Sequence, residues 1–215
     1  TLIVDNALFY RGFEVAQLAR QRTFEEVVAL LWTGEMAQQL FPGQLVLSAA
    51  MQQMLALPLP TIQRFQVAMA LAAAEDHRAY HLHPAAILHT GVRILTLMTA
   101  VATGGATPAA SLANSLAQAW SLDSAPLLNA ALILCADHEL NVSSFVARVV
   151  ASAEATLYAV MLAGLAALSG FKHGGVTERA AVLLRDIGTP AQAHLVLTER
   201  MRRGEDLPGF GGHRL

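Results

Sequence analysis

The sequence predicts an all-α fold, and three observations carry that expectation. Thr23-Phe24-Glu25-Glu26 is a capping box: the Thr hydroxyl can accept the backbone N–H three residues on, and Glu26 can reach back to the residue that starts the helix. Proline recurs where a first helical turn tolerates it, at Pro60, Pro84, Pro126 and Pro190. No series of Val/Ile-rich alternating segments separated by turn residues occurs, so a β-sandwich or a parallel sheet has nothing to be built from.

The elements follow in order. Leu2-Ile3-Val4 and Leu8-Phe9-Tyr10 flank Asp5-Asn6 and predict a short hairpin, a decoration on a helical body. After Thr23, the residues Phe24, Val27, Val28, Leu30 and Leu31 keep one apolar face, and Gly34 ends the helix. Pro60-Thr61 opens a helix to about Ala74, and Pro84 opens another to Ala102. Helices over Ala109–Trp120 and Ala125–Leu134 come next, the second after Ser124. The longest is expected over Ser143–Leu168, closed by Gly170. Along it Ala147, Ala151, Ala155, Ala159 and Ala163 recur every fourth residue, a small-residue ridge that lets another helix approach closely; a subunit interface is expected there. Thr189-Pro190 starts a last helix that stops at Gly204.

Composition bounds the function. Hydrophobic residues are 54% and charged residues 14%, so much apolar surface must be buried inside the fold or against a partner subunit. With 14 basic and 16 acidic residues and no basic stripe, this segment carries no footprint for nucleic acid. The single cysteine, Cys135, excludes a disulfide framework and fits a reducing, cytoplasmic compartment; within its apolar run it is expected to be a buried, inert thiol. Thr1-Leu2-Ile3-Val4-Asp5 has no signal-peptide features, and the expectation is that the chain begins partway into a larger protein. The uncharged stretch Ala155–Phe171 falls short of a span of roughly 20 residues, and Ile94–Leu122 is interrupted by Gly104-Gly105 and Pro108, so no membrane role is expected.

Three histidine segments stand out for chemistry. They are Ala136-Asp137-His138-Glu139-Leu140-Asn141, Gly170-Phe171-Lys172-His173-Gly174-Gly175, and Leu207-Pro208-Gly209-Phe210-Gly211-Gly212-His213. Glycine beside histidine lets backbone come close to a ligand and leaves N–H groups available to oxygen. Other chemistries fit poorly. Asp137, His138 and Glu139 are consecutive and on a helix would point about 100° apart, so they cannot chelate one ion. His77, His81 and His83 with Asp76 have a spacing that can hold zinc, but Pro84 breaks the helix there and no second ligand group lies nearby; solvated polar residues and no metal are expected. His89 and His194 read as structural. No Gly-x-Ser-x-Gly elbow, phosphate-binding P-loop or dinucleotide-binding glycine turn is present.

In this order and spacing the three segments resemble the citrate synthase family. Asp137-His138-Glu139-Leu140-Asn141-Val142-Ser143 is similar to its Asp-His-Glu-x-Asn-x-Ser block. Gly170-Phe171-Lys172-His173-Gly174-Gly175 resembles its Gly-Pro-x-His-Gly-Gly turn, and Pro208-Gly209-Phe210-Gly211-Gly212-His213-Arg214 its Pro-Gly-Phe-Gly-His-Arg turn. Tyr10-Arg11-Gly12-Phe13 and Phe24 through Glu35 resemble the family's entry segment. The departures are Phe171 for proline, Thr177 for asparagine, and the additional glycine Gly212 before His213.

The resemblance implies the all-α citrate synthase-like fold, with a large helical domain over residues 1–170 and the beginning of a small helical domain over 171–215. It implies condensation of acetyl-CoA, or another short acyl-CoA, with oxaloacetate to give citrate or a 2-methyl analogue and free CoA. A regulatory, ligand-binding relative is the alternative that the departures keep open. It assigns His173 to stabilising the enolate oxygen of the acyl-CoA and His213 to polarising and protonating the oxaloacetate carbonyl. His138, with Asn141, holds the dicarboxylate, and the backbone of Leu207, Pro208, Gly209, Phe210 and Gly211 lies against the adenine of coenzyme A. No permanently bound cofactor is implied; the coenzyme A thioester is a co-substrate. A homodimer is implied too. The family's general-base aspartate and carboxylate-binding arginines lie downstream of the third histidine, beyond Leu215, so residues 1–215 alone are expected to be inactive.

Overall fold

The structure is a computed structural model that describes residues 1–36, 40, 45–106 and 111–210. The chain divides into two compact units, Thr1–Leu165 and Ala166–Leu215.

The first unit opens with an antiparallel sheet of β1 (Leu2–Val4), β2 (Ala7–Tyr10) and β3 (Phe13–Glu14), with Val4 opposite Ala7 and Tyr10 opposite Phe13. Asp5 and Asn6 both take positive φ, 48° and 63°, the geometry of a two-residue hairpin whose twist matches its strands. Arg11-Gly12 repeats the device between β2 and β3.

Helices α1 (Val15–Gln21) and α2 (Phe24–Thr33) follow. The expected capping box is formed at Thr23, and Gly34 closes α2 in the left-handed conformation with its N–H on the Leu30 carbonyl. Helix α3 (Ala49–Leu55) starts on the Ser48 hydroxyl, a signal in the sequence that the expectations above missed. Then come α4 (Thr61–Glu75), α5 (Pro84–Ala102), α6 (Leu112–Ala119) and α7 (Ala125–Leu134). The first two residues of the expected Ala109–Trp120 helix lie outside the described residues.

Among the described residues, α5 is the one helix long and apolar enough to cross a membrane. Its Val92, Ile94, Leu97, Ala100 and Val101 are buried, and it packs against α4 and α6. One core cluster joins Met51, Met54, Met69, Ile94 and Leu97 to Tyr158; a second joins Tyr10, Val15, Leu18 and the inner face of α2 to Ile133.

Polar side chains fix how these helices meet. Glu25 is only 6% exposed, and its carboxylate accepts the Leu112 N–H at 2.7 Å, satisfying a first-turn donor of α6 from 87 residues away. Asn129 on α7 accepts the Phe24 N–H and donates to the Arg22 carbonyl, both at 2.8 Å.

The expected long helix over Ser143–Leu168 is instead two, α8 (Val142–Ala151) and α9 (Leu157–Leu168). The Ser152 hydroxyl bonds the Val149 carbonyl, Glu154 turns into positive φ (56°), and Thr156 restarts the helix by accepting the Ala159 N–H. The alanine repeat is therefore not one continuous ridge. Ala147 instead meets Gly164, where an added Cβ would lie 3.6 Å from the Ala147 methyl.

The Cys135 expectation is also corrected. Cys135 is exposed, at the C-terminal cap of α7, because Ile133 two positions earlier takes the buried side.

The second unit begins in the last turn of α9. It continues through α10 (Gly175–Ile187), a 3-10 turn (Pro190–Gln192) and α11 (Ala193–Arg202), which packs on α10. The last expected helix thus starts as a 3-10 turn. Gly204, at φ 70°, turns the chain out of α11.

Candidate active site

His138 and Asn141 sit in the first unit, in the link between α7 and α8. Tyr10, fully buried on β2, holds this link from 127 residues away. Its hydroxyl accepts the Asp137 N–H at 3.0 Å and lies 3.1 Å from the Ile133 carbonyl and 3.0 Å from the Asp137 carbonyl, to which it donates. Burial is the main cause that pushes the Tyr10 phenol above its ordinary value, so the group is neutral and serves as donor and acceptor at once. The Thr1 hydroxyl donates to the Asp137 carboxylate.

Beyond this anchor the link turns outward. Glu139 takes positive φ, 57°. A ring nitrogen of His138, Nε2, is 2.7 Å from the Leu134 carbonyl at the end of α7, which makes Nε2 the donor and Nδ1 the other polar atom of the ring. Asn141 caps α8, its Oδ1 accepting the Ser144 N–H and the Ser143 hydroxyl, both at 3.0 Å. Asp137, Glu139, Leu140, Ser144, Arg148 and Thr1 line a cavity of about 520 Å³ beside this link. Arg148 was missed by sequence reasoning. The available signal was its place four residues after Ser144, on the same helical face.

His173 belongs to the second unit, in a tight turn between α9 and α10. The N–H groups of His173 and Gly175 both donate to the Gly170 carbonyl, at 2.9 and 3.1 Å. Gly174 has φ −63°, which any residue can adopt; what it supplies is room, since an added Cβ would sit 2.4 Å from the Leu168 carbonyl oxygen. A Cβ on Gly175 would be 3.0 Å from the Gly170 carbonyl oxygen. Two of the three departures from the family pattern, Phe171 and Thr177, are engaged; the third, Gly212, lies outside the described residues. Arg179 lies 3.8 Å over the Phe171 ring and donates to the Phe171 carbonyl, and the Thr177 hydroxyl donates to the Gly174 carbonyl at 2.6 Å. His173 is half-buried at the mouth of α10.

The third segment comes back to the same helix. Leu207-Pro208-Gly209-Phe210 is a turn with proline second and glycine third, Gly209 at φ 88°, closed by the Phe210 N–H on the Leu207 carbonyl at 3.1 Å. An added Cβ on Gly209 would touch the Ala180 methyl at 3.4 Å. The His173 turn and the Leu207–Phe210 turn thus both sit on the N-terminal half of α10.

The approach to this turn is fastened by Glu205. It pairs with Arg203 at 2.5 Å and Arg200 at 3.5 Å, while Arg200 also holds Asp186 of α10. The hydrogen bond from Arg203 holds the Glu205 carboxyl below the usual carboxylate range. Gly211 and His213 lie outside the described residues.

Residues 2–215 match the family model described as citrate synthase, C-terminal domain. The chain belongs to the citrate synthase family. Among curated relatives it is 30% identical to a citrate synthase of Mycolicibacterium smegmatis (98% of this chain, 63% of the relative). It is 27% identical to citrate synthase 2 of Bacillus subtilis (99% and 64%) and 29% identical to a 2-methylcitrate synthase of Mycobacterium tuberculosis (98% and 60%). The chain therefore spans less than two thirds of the length of these relatives.

In fold it is similar to the Thermoplasma acidophilum citrate synthase solved in a ternary complex with carboxymethyl coenzyme A and oxaloacetate. That match has a TM-score of 0.78 at 22% identity, covering 99% of this chain and 64% of that one. The Thermotoga maritima citrate synthase matches with a TM-score of 0.74 at 23% identity, covering 97% and 62%. The all-α citrate synthase fold expected from the sequence is the fold observed.

Proposed function

We propose that this chain is the matched part of a citrate synthase-like acyltransferase that condenses a short acyl-CoA with oxaloacetate, giving citrate or its 2-methyl analogue and free CoA. The reading rests on one observation: a family match over residues 2–215 within which His173 occupies a glycine-cleared turn at the start of α10.

The chemistry explains the residues. The α-proton of a thioester is weakly acidic, and a carboxylate removes it only where a fixed donor stabilises the developing enolate oxygen. His173 is that donor. The enolate carbon attacks the oxaloacetate carbonyl carbon, and His213 gives its proton to the carbonyl oxygen. Water then cleaves the thioester to release CoA. His138 and Asn141 hold the dicarboxylate. The backbone of Leu207 through Gly211 receives the adenine of coenzyme A, a co-substrate rather than a resident cofactor. Residues 1–170 serve as the large domain and 171–215 begin the small one. The protein acts as a cytoplasmic homodimer without a metal, in the reaction that feeds acyl units into the tricarboxylic acid cycle or its methyl counterpart.

The test is a thiol-release assay on the complete protein with oxaloacetate and either acetyl-CoA or propionyl-CoA. His173→Ala should lower turnover by about 10²- to 10³-fold, the usual cost of losing an oxyanion donor. Oxaloacetate should still raise its melting temperature, because a ligand bound only by the folded state adds about 2.7 kcal/mol at 100 times Kd. Undiminished turnover in His173→Ala, or a wild-type protein on which oxaloacetate has no thermal effect, rejects the assignment.

A further inference from the structure

Neither the condensation nor its substrates uses the corner where α4 ends and α5 begins. A cavity of about 330 Å³ lies there, lined by Arg78, His81, His83, Ala86, His89 and Thr90 together with Ala85. His83 is the N-cap of α5, and Ala86 and Thr90, four positions apart, lie on one stripe of that helix. The alanines leave the space, and every titratable side chain lining it is cationic or becomes so on protonation.

Two further details point to an oxygen-rich anion. Thr90, only 5% exposed as a residue, lines the cavity, and its hydroxyl has no hydrogen-bond partner among the described residues, so it is available to a ligand there. Nδ1 of His83 accepts the Ala86 N–H at 3.4 Å, capping α5, so in the neutral ring Nε2 carries the proton and remains a donor. The His81 and His83 rings stand 6.4 Å apart at the same cavity, so one anion can meet both. The first turn of a 19-residue helix adds its own preference for negative charge.

The acids of this corner have partners of their own, although Asp76 also faces the charge of Arg78. Glu75 accepts from the Ser48 hydroxyl. Asp76 accepts from the Tyr158 hydroxyl and the Arg78 N–H and faces Arg93. His77 is the remaining titratable neighbour. A metal ion fits less well, since among the described residues no three His, Cys, Asp or Glu side chains converge on one point.

We propose that this corner is a second binding site, for a phosphoryl group, formed by Arg78, His81, His83, His89 and the Thr90 hydroxyl. Binding is read on the complete protein from the imidazole proton resonances during titration with inorganic diphosphate, and with sulfate. Both anions should shift the His81, His83 and His89 signals. His81→Asn combined with His89→Asn should weaken diphosphate binding at least about tenfold, as loss of charge-assisted hydrogen bonds does, and Thr90→Val should weaken it without altering the fold. A nucleoside triphosphate that binds more tightly than diphosphate assigns the phosphoryl group to a nucleotide; equal binding assigns free phosphate. Unshifted histidine signals at millimolar diphosphate, or binding that survives the double substitution, overturns the proposal.

Discussion

The His138 link carries a candidate substrate-binding histidine and the His173 turn a candidate catalytic one, and they are held by opposite means. The His138 link is exposed and has no glycine between Ala136 and Asn141. Its shape comes from Tyr10, a residue on another element more than a hundred positions away, and from Asn141 and Leu134 at the two helix ends. The His173 turn is built from its own neighbours. Gly170 accepts two N–H groups, Gly174 and Gly175 leave room for carbonyl oxygens, and Arg179 two turns on clamps Phe171. One segment is positioned by the packing of its unit, the other by local sequence. Damage to the core should therefore release His138, and only local changes should release His173.

The largest effect is expected at Gly174. Alanine there puts a methyl carbon 2.4 Å from the Leu168 carbonyl oxygen, and backbone cannot move aside as a flexible side chain would. The cost should be roughly 3 kcal/mol, at the upper end for overpacking, because the end of α9 and the start of α10 must separate. Amide hydrogen exchange of the complete protein should show protection lost at the first turn of α10 and retained at the Tyr10 amide and in α5. Wild-type protection at α10 in Gly174→Ala would show that the turn is not fixed locally.

Tyr10→Phe is the converse experiment, and about 2 kcal/mol is expected. The phenyl ring keeps its packing, but the Asp137 N–H loses its acceptor, the price of stranding a buried or half-buried donor. Exchange should accelerate at Asp137 and through the start of α8 while the α10 amides stay protected. If α10 loosens as much as α8, the distinction between a packed link and a self-made turn fails.

The same distinction explains what was legible in the sequence. Local devices were readable: the capping box at Thr23, the proline start of α5, the Asp5-Asn6 hairpin and the stop at Gly34 each depend on residues within one turn of each other. The split between α8 and α9 was hidden because it uses no glycine or proline. Ser152, Glu154 and Thr156 break the helix with two hydroxyls and one left-handed residue, inside a stretch whose alanines promise continuity. Tyr10 and Glu25 read as ordinary members of a strand and a helix. Their partners, Asp137 and Leu112, are more than eighty positions away, and nothing in spacing or periodicity connects them. For the candidate site, the motifs located the segments as strings of residues. The forces that hold the His138 string were invisible, while those that hold the His173 string are written in its glycines.

The smallest effect tests a second long-range tie of the first unit. Asp76 at the end of α4 accepts from the Tyr158 hydroxyl on α9 at 2.7 Å and lies 3.7 Å from Arg93 on α5, so one carboxylate joins three helices. Burial alone would raise its pKa. The hydrogen bonds from Tyr158 and from the Arg78 backbone, with the charges of Arg93 and Arg78, outweigh it and hold the carboxyl below the usual carboxylate range. The Tyr158 phenol is pushed up, first by burial and then by its bond to Asp76, so it stays the donor. A folded-state pKa below the unfolded value, about 3.9, means this stabilisation is fully present above that value and is lost as pH falls through the folded one. Wild-type melting temperature should therefore drop on acidification below about pH 4, and Tyr158→Phe should flatten that drop while lowering stability at neutral pH by about 1 kcal/mol. The signature should appear as faster exchange where α4, α5 and α9 meet, with the His173 turn unaffected. An acid profile in Tyr158→Phe parallel to that of the wild type would mean that the Asp76–Tyr158 bond is not a tie of this unit, leaving the junction of α4, α5 and α9 to its apolar packing.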